Sequence, residues 1–484
     1  MDLGRNEKCH CGSNKKYKKC CLDKDEKKRI LYEKVKNIKK MSRQELFISA
    51  PYKKCPNPTC LTDNAFGVFM PTEQSRAYSR ECIKCGYTQS FPFPKITKKI
   101  VYLDQFIISN LVKLLDKSHP SHDAIKADPF WTELFVKLER AIKSQAIVCP
   151  DSFYHKDESL TGNTSFKLMK RLYEHFSGGK TLYPSIYIEK HQIAEHFEAW
   201  LSNKKIDSKF DPKDIAFEKD LHTWSVGMRI SVNMRPYPGE VENLHSTNAS
   251  TQAQLKETWK RWQSEKHITF TDRVKEEALG LWKGMMTAWQ NFEKRKAILM
   301  EKASKGEDYK LDLNDVLPPM SNDILEMVIM VARKKGIPEE KILEVILSYF
   351  HSPDLLLEIP YIRISTVMYA GLAHKAVSGK KDPPKSLVDV QFIGSYLPYC
   401  DAMFVDKESQ TLLKELPKSA PSHLRLKEFL AKIFSLRDKK EFLDYLDGVV
   451  ADIPKEQIDI LKDVSGDDYD DPYWEILENE KIED

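Results

Sequence analysis

Apolar positions along the chain follow two rhythms, one with the period of a helix and one without a polar break. After Asp389, the residues Val390, Phe392, Ile393, Tyr396 and Leu397 recur at helical spacing until Pro398 stops the run. Ala402, Met403, Phe404 and Val405 then form an unbroken apolar stretch, the pattern of a strand buried on both faces of a parallel sheet. Lys99–Leu103 and Ala146–Cys149 read as strands of the same kind. Trp131, Leu134, Phe135, Leu138 and Ile142 share one face of a packing helix, and Ile186–Leu201 reads as another helix. From 207 to about 379 the pattern is helical throughout, with long amphipathic runs over 252–303 and 324–350. Trp259, Trp262, Trp282 and Trp289 are expected in the core of that region. The class this predicts is α/β.

The acids fall at the joints of these elements. Asp104 follows the first strand, Glu158 lies on the helix after the Ala146 strand, and Asp389 opens the helix ahead of the Ala402 strand. Asp401 stands at the entry of that last strand and Asp406 at its exit. In open α/β sheets ligands gather at the carboxyl ends of strands, so Asp406 is well placed for chemistry. Converging carboxylates repel one another unless a cation such as Mg²⁺ or Mn²⁺ sits between them. Taken singly, each Asp also suits a helix cap or a turn. His155 reads as a packing or hydrogen-bonding residue.

The segments VYLDQ, CPDSFYHKDES and LPYCDAMFVDKE together resemble the four-acid pattern of the PIN-like nuclease superfamily. That resemblance implies a Rossmann-like parallel sheet of PIN type, interrupted by a large α-helical insertion. It implies cleavage of RNA, less often DNA, with Mg²⁺ or Mn²⁺ held by Asp104, Glu158, Asp389 and Asp406, and with Asp401 as a possible fifth acid. The long interval between Glu158 and Asp389 departs from the pattern.

Charge is distributed unevenly. The net charge of +4 is small for 484 residues, but 1–54 holds 17 Lys/Arg against 7 Asp/Glu, and 463–484 holds 10 acids against one Lys. A basic head and an acidic tail suggest separate jobs or an internal contact. Mean hydropathy is −0.51, no apolar run approaches the roughly 20 residues of a membrane span, and no secretory segment is evident at Met1. The expectation is a cytoplasmic protein with no membrane partner.

Eight of the ten cysteines lie before residue 86, which without a secretory segment favours metal over disulfides. Cys9, Cys11, Cys20 and Cys21 have the spacing of a tetrahedral zinc site closed by the Gly12–Asn14 turn. The stretch GRNEKCHCGSNKKYKKCC resembles the SEC-C motif of the SecA translocation ATPase and of many unrelated bacterial proteins, which implies docking to a ribosome or protein partner. Its Cys-Cys ending departs from the usual Cys-His. Lys15, Lys16, Tyr17, Lys18 and Lys19 interleave an aromatic with cations, as suits nucleic acid, and equally suit an acidic partner or a solvated face. Cys55, Cys60, Cys82 and Cys85 have the spacing of a zinc ribbon, its two knuckles joined by a hairpin. The cofactors expected are therefore two structural Zn²⁺ and a catalytic Mg²⁺ or Mn²⁺.

These readings divide the chain into a SEC-C zinc motif (1–25), a basic linking helix (26–50), a zinc-ribbon-like module (51–95), two parts of a PIN-like domain (96–200 and 380–450), a helical insertion (201–379) and an acidic tail (451–484). Lys260, Arg261, Arg333, Lys334 and Lys335 on the insertion are candidates for phosphate contacts. His191, Glu195 and His196 match no zinc-protease spacing and read as surface or groove residues. With no phosphate-binding glycine loop and no G-x-S-x-G elbow, nucleotide hydrolysis and serine chemistry have little support. The function expected is a metal-dependent endonuclease, RNA before DNA, of the kind that serves as a bacterial toxin or phage-defence ribonuclease. The alternative is a non-catalytic adaptor docking through its zinc modules.

Overall fold

A strand's backbone needs a hydrogen-bonded neighbour, and the described residues supply these in two four-stranded sheets and one two-stranded sheet. The structure, a computed structural model, describes residues 6–8, 15–19, 21–22, 48–69, 76–161, 166–204, 211–217, 220–225, 239–306, 320–380, 382–384, 387–414, 421–424, 426, 429 and 431–472. Two compact units emerge, one of Met1–Lys95, Trp224–Ser231 and Pro454–Tyr469, the other of Ile96–Thr223, Val232–Ile453 and Asp470–Asp484. Their folds are mixed α/β.

In the first unit β1 (Ile48–Lys53), β2 (Phe66–Phe69), β3 (Ala77–Cys82) and β4 (Thr88–Pro92) form an antiparallel sheet in that order. The apolar core is small: Cys55, Ala65, Phe66 and Cys82 form one cluster, and Val68, Tyr78 and Val464 another. A buried ion pair supplements it. Arg80 is 1% exposed and donates to the Pro51 and Phe66 carbonyls, both at 2.9 Å, and to Asp463 Oδ1 at 2.8 Å. Asp463, on the helix Lys455–Ser465, also accepts from the Tyr78 hydroxyl and pairs with Lys53. Burial raises the Asp463 pKa, but the hydrogen bonds from Lys53, Tyr78 and Arg80 outweigh it and hold the carboxyl below the usual range. The basic head and acidic tail thus meet at Lys53 and Asp463.

In the second unit β5 (Lys99–Leu103), β6 (Ile147–Val148), β9 (Ala402–Phe404) and β10 (Lys432–Phe434) form a four-stranded sheet, parallel throughout, ordered β10-β9-β5-β6. β7 (Asp151–Ser152) and β8 (Thr181–Leu182) pair separately and in parallel. The alternation of side chains along β5 explains its unbroken apolar sequence. Val101 and Leu103 pack with helices Gln105–Leu115, Pro129–Lys143, Phe166–Ser177 and Lys439–Ala451 on one face, and Ile100 and Tyr102 pack with a group that includes Ser185–Leu201, Phe270–Ser304, Pro360–Val377 and Val388–Tyr396 on the other. The chain runs from β5 outward to β6, then returns to β5's other side as β9. That reversal between β5 and β9 is a topological switch point, where side chains beyond the strand ends are left free to face a crevice.

Of the stretch predicted to be helical from 207, the described residues 211–217 and 220–225 are instead a short 3₁₀ turn (Pro212–Asp214) and irregular chain, with Ala216 bridging to Leu182. Among the described residues its helices begin at 240 and are Glu240–Ser264, Phe270–Ser304, Met320–Lys334, Glu339–Phe350, Pro353–Leu356 and Pro360–Val377. Trp259, Trp262 and Trp282 are buried, but Trp289 is 37% exposed and is not a core residue. His196 likewise departs from expectation. It is buried, with Nδ1 at 2.7 Å from the Tyr349 hydroxyl and Nε2 at 3.1 Å from Glu358, whereas His191 and Glu195 form an outward pair at 3.4 Å. Among the described residues no helix is long and apolar enough to cross a membrane.

Candidate functional site

The register of the central strands sets the site. Leu103 lies opposite Phe404, so both strands end level, and Asp104 N–H still donates to the Phe404 carbonyl at 3.0 Å. Asp104 follows β5 immediately and Asp406 comes two residues after β9, so both carboxyls stand at the carboxyl edge beside the switch point. Glu158 comes from the helix Phe153–Thr161 and Asp389 from the first turn of Val388–Tyr396. All four line a single cavity of about 640 Å³. The structure brings these four predicted acids together.

His155 positions one of them. Its ring stacks between Tyr102 and Tyr173, with centroids 4.9 and 4.3 Å away, and its Nε2 donates to the Leu103 carbonyl at 2.9 Å. Asp151 accepts at Nδ1, 3.1 Å away. This clamps the helix carrying Glu158 to the end of the strand carrying Asp104, and a hydrogen bond donated by Gln105 Nε2 to Ser159 Oγ at 3.4 Å adds a second tie. The packing role expected for His155 is the one found.

Capping does not account for the acids as a set. Asp406 is a cap, accepting from the Ser409 N–H at 2.6 Å. Asp104 precedes a helix without a capping bond of ordinary geometry, and Asp389 lies inside its helix and not at the cap position. Instead the acids oppose one another. Burial, then the charges of Asp389, Glu158 and Asp406, raises Asp104 well above the carboxylate range, the nearby Phe106 N–H offsetting only part. Burial, then Asp389 and Asp157, pushes Glu158 up to about 8, and burial, then Asp406 and Glu408, pushes Asp389 up to about 7. Carboxylate oxygens are the donors that Mg²⁺ and Mn²⁺ take, so the set fits such an ion chemically. The spacing is open: among the described residues, the acids do not form a set with three ligand atoms all within 4.8 Å of one another.

Asp401 is elsewhere. It sits at the amino end of β9, accepting from the Ile100 N–H and from Lys99 Nζ, both at 2.9 Å, and it does not line the cavity. On the insertion, Arg333 is paired with Glu339 at 2.7 Å, Lys335 with Glu198 at 2.8 Å and Arg261 with Glu265 at 3.9 Å; Lys260 and Lys334 are exposed. None of these lines the cavity. The sequence reading passed over Gln105, Ser109, Lys113, His119 and Ser121, which do. A signal existed for three of them, because Gln105, Ser109 and Lys113 recur every fourth residue and share one face of the helix that Asp104 precedes.

The four cysteines of the first unit do close to metal spacing. Cys55, Cys60, Cys82 and Cys85 have all Sγ atoms within 4.8 Å of one another, with Cys55 to Cys85 at 3.7 Å and Cys60 to Cys82 at 3.8 Å. A tetrahedral zinc with Zn–S bonds near 2.3 Å requires sulfurs about 3.8 Å apart. Gly86, at φ +69, makes the turn after Cys85 and donates to the Cys82 carbonyl at 2.8 Å. Hydrogen bonds from the Thr62 side chain and backbone bring Cys60 down to about 6, while burial pushes Cys55 up to about 12. The cluster suits one structural zinc ion, and the β2–β3 hairpin joins its two halves as predicted.

Cys9, Cys11 and Cys20 lie outside the described residues, as do residues 26–47 of the linking helix expected over 26–50; its last three residues, 48–50, are strand, the start of β1. Tyr17–Lys19 forms a 3₁₀ turn, with Lys15, Lys16, Lys18 and Lys19 exposed. Among known families, the SEC-C motif matches residues 5–23, and such motifs typically bind zinc. Neither the curated proteins nor the solved structures contain a significant match to the chain.

Proposed function

We propose that this chain is a divalent-cation-dependent nuclease of PIN-like type, acting on RNA in preference to DNA. The observation that carries this reading is the convergence of Asp104, Glu158, Asp389 and Asp406 on one cavity at the switch point of a parallel sheet, where the charges of the other three raise the proton affinity of Asp104, Asp389 raises that of Glu158 and Asp406 that of Asp389. Such an arrangement costs free energy unless a cation neutralises it. These four residues would hold Mg²⁺ or Mn²⁺. A bound ion of this kind would supply Lewis acidity and lower the pKa of a water it holds.

The chain's own contribution is placement. Sheet hydrogen bonding fixes the backbone at Asp104, the Ser409 N–H fixes the Asp406 carboxylate, and the His155 clamp fixes the helix of Glu158. The SEC-C motif and the cysteine cluster support a docking role for the N-terminal segment, to nucleic acid, the ribosome or another protein, that selects the target. Incubation of wild type and Asp104→Asn with total RNA and with plasmid DNA, in Mg²⁺, Mn²⁺ or EDTA, tests the reading. Cleavage is expected only in wild type with a divalent ion, with the variant's circular dichroism unchanged. Equal cleavage by the variant, or none by wild type under any condition, would overturn the nuclease and leave the docking protein.

A further inference from the structure

The acid cavity has a second wall of opposite character. Gln105, Ser109 and Lys113 line it from successive turns of one helix, and Lys113 lies about 12 Å along the axis from Gln105. His119 and Ser121 line it from the turn that follows. That turn is held firmly: Asp116 accepts from the Ser118 N–H at 2.9 Å and from its hydroxyl at 2.6 Å, and the His122 N–H donates to the His119 carbonyl at 2.9 Å.

Two groups on this wall have protons to spare among the described residues. His119 Nδ1 accepts from the Ser121 N–H at 3.0 Å, so the ring proton belongs on Nε2, and the imidazole presents a donor. Lys113 has no ion pair among the described residues and only a 3.4 Å contact with Asn110 Oδ1. An ammonium and an imidazole N–H lining one cavity suit phosphate oxygens. Neither group can bind a cation while carrying its proton.

We propose that Lys113 and His119 bind a backbone phosphate of the nucleic-acid strand next to the one facing the carboxylates, so that the cavity holds a cation at its acid end and substrate at its basic end. This rests on the nuclease reading and adds the residues that grip the strand. The opposed charges keep the two occupants apart, since a phosphate is repelled from the acid wall unless a cation is present.

Cleavage of a fluorescent single-stranded RNA in Mn²⁺, measured across a KCl series, tests it. Lys113→Ala is expected to raise KM at least tenfold with kcat changed less than threefold, and to flatten log(kcat/KM) against log[KCl] by about 0.7. Lys113→Arg restores both. His119→Ala raises KM, and His119→Gln, which keeps an N–H donor, recovers part of it. Mn²⁺ affinity, read by electron paramagnetic resonance, stays at the wild-type value in all four variants. Wild-type KM and salt slope in Lys113→Ala and His119→Ala, with wild type active, would overturn this proposal alone. Loss of Mn²⁺ affinity would assign the pair to the cation instead and overturn it too. Inactive wild type removes the nuclease reading and this inference together.

Discussion

Raising pH should weaken the second unit when no divalent ion is present, and the acid cavity sets the size of the effect. Glu158 goes from 4.5 to about 8 and Asp389 from 3.8 to about 7 on folding. Between the ordinary and the raised values the folded chain binds more protons than the unfolded chain, so stability is full below about pH 4 and is lost as pH rises through 7 and 8. At about 1.4 kcal/mol per pH unit, each group alone accounts for roughly 4 to 5 kcal/mol. Asp389 contributes repulsion to Glu158, so the two losses overlap, and rotation of carboxylates toward water softens them. A combined loss of roughly 3 to 5 kcal/mol is expected, equivalent to a fall of roughly 4 to 7 °C in Tm for a unit of about 365 residues. Differential scanning calorimetry in EDTA from pH 5 to pH 8.5 reads this directly. Mn²⁺ at a hundred times its Kd should return about 2.7 kcal/mol at the alkaline end. Asp104→Asn removes a buried charge that Asp389, Glu158 and Asp406 all oppose, so its profile should be flatter and its response to Mn²⁺ smaller. Superimposable profiles for wild type and Asp104→Asn, each shifted equally by Mn²⁺, would mean that the cavity neither stores this repulsion nor selects the ion.

Two further perturbations address the first unit. Asp463→Ala leaves the Arg80 guanidinium buried without its carboxylate, which typically costs about 3 to 5 kcal/mol. Amide exchange in β3 should then accelerate by roughly two to four orders of magnitude; a change below tenfold would show the pair to be worth little, and Arg80→Met with Asp463→Leu should lose less than Asp463→Ala alone. Because Asp463 is held below the usual carboxylate range, its contribution is present above about pH 4 and fades as pH falls through the lower folded value. Cys82→Ser should lower zinc content by one ion per chain in mass spectrometry of the metal, and should expose β2 and β3 to proteolysis, since so few apolar residues back the sheet. Unchanged zinc content would assign the cysteines a different role.

The parts of this fold that were legible in the sequence are those where one constraint dominates. A strand covered on both faces has no polar position to offer, which is why 99–103 and 402–405 stand out, and Asp104 and Asp406 follow from being the first acids beyond them. Asp401 was open to the same logic. It precedes a strand of a parallel sheet, so it belongs at the amino edge, opposite to Asp104 and Asp406, and its Lys99 and Ile100 partners hold it there. Periodicity misled where it fixes a face but not the extent of a partner. Trp282 and Trp289 are seven residues apart on one face of Phe270–Ser304, yet Trp282 stacks on Phe350 at 4.8 Å and Trp289 is left exposed. The basic wall escaped for a different reason. No motif in the sequence singles out Lys113 or His119, and their meaning depends on the cavity they share with four acids drawn from distant parts of the chain. A cation site built only of carboxylates attracts an ion but repels a phosphodiester, so a nuclease reading of those acids requires a neighbouring source of positive charge, and the polar face of Gln105–Leu115 is where this fold provides one.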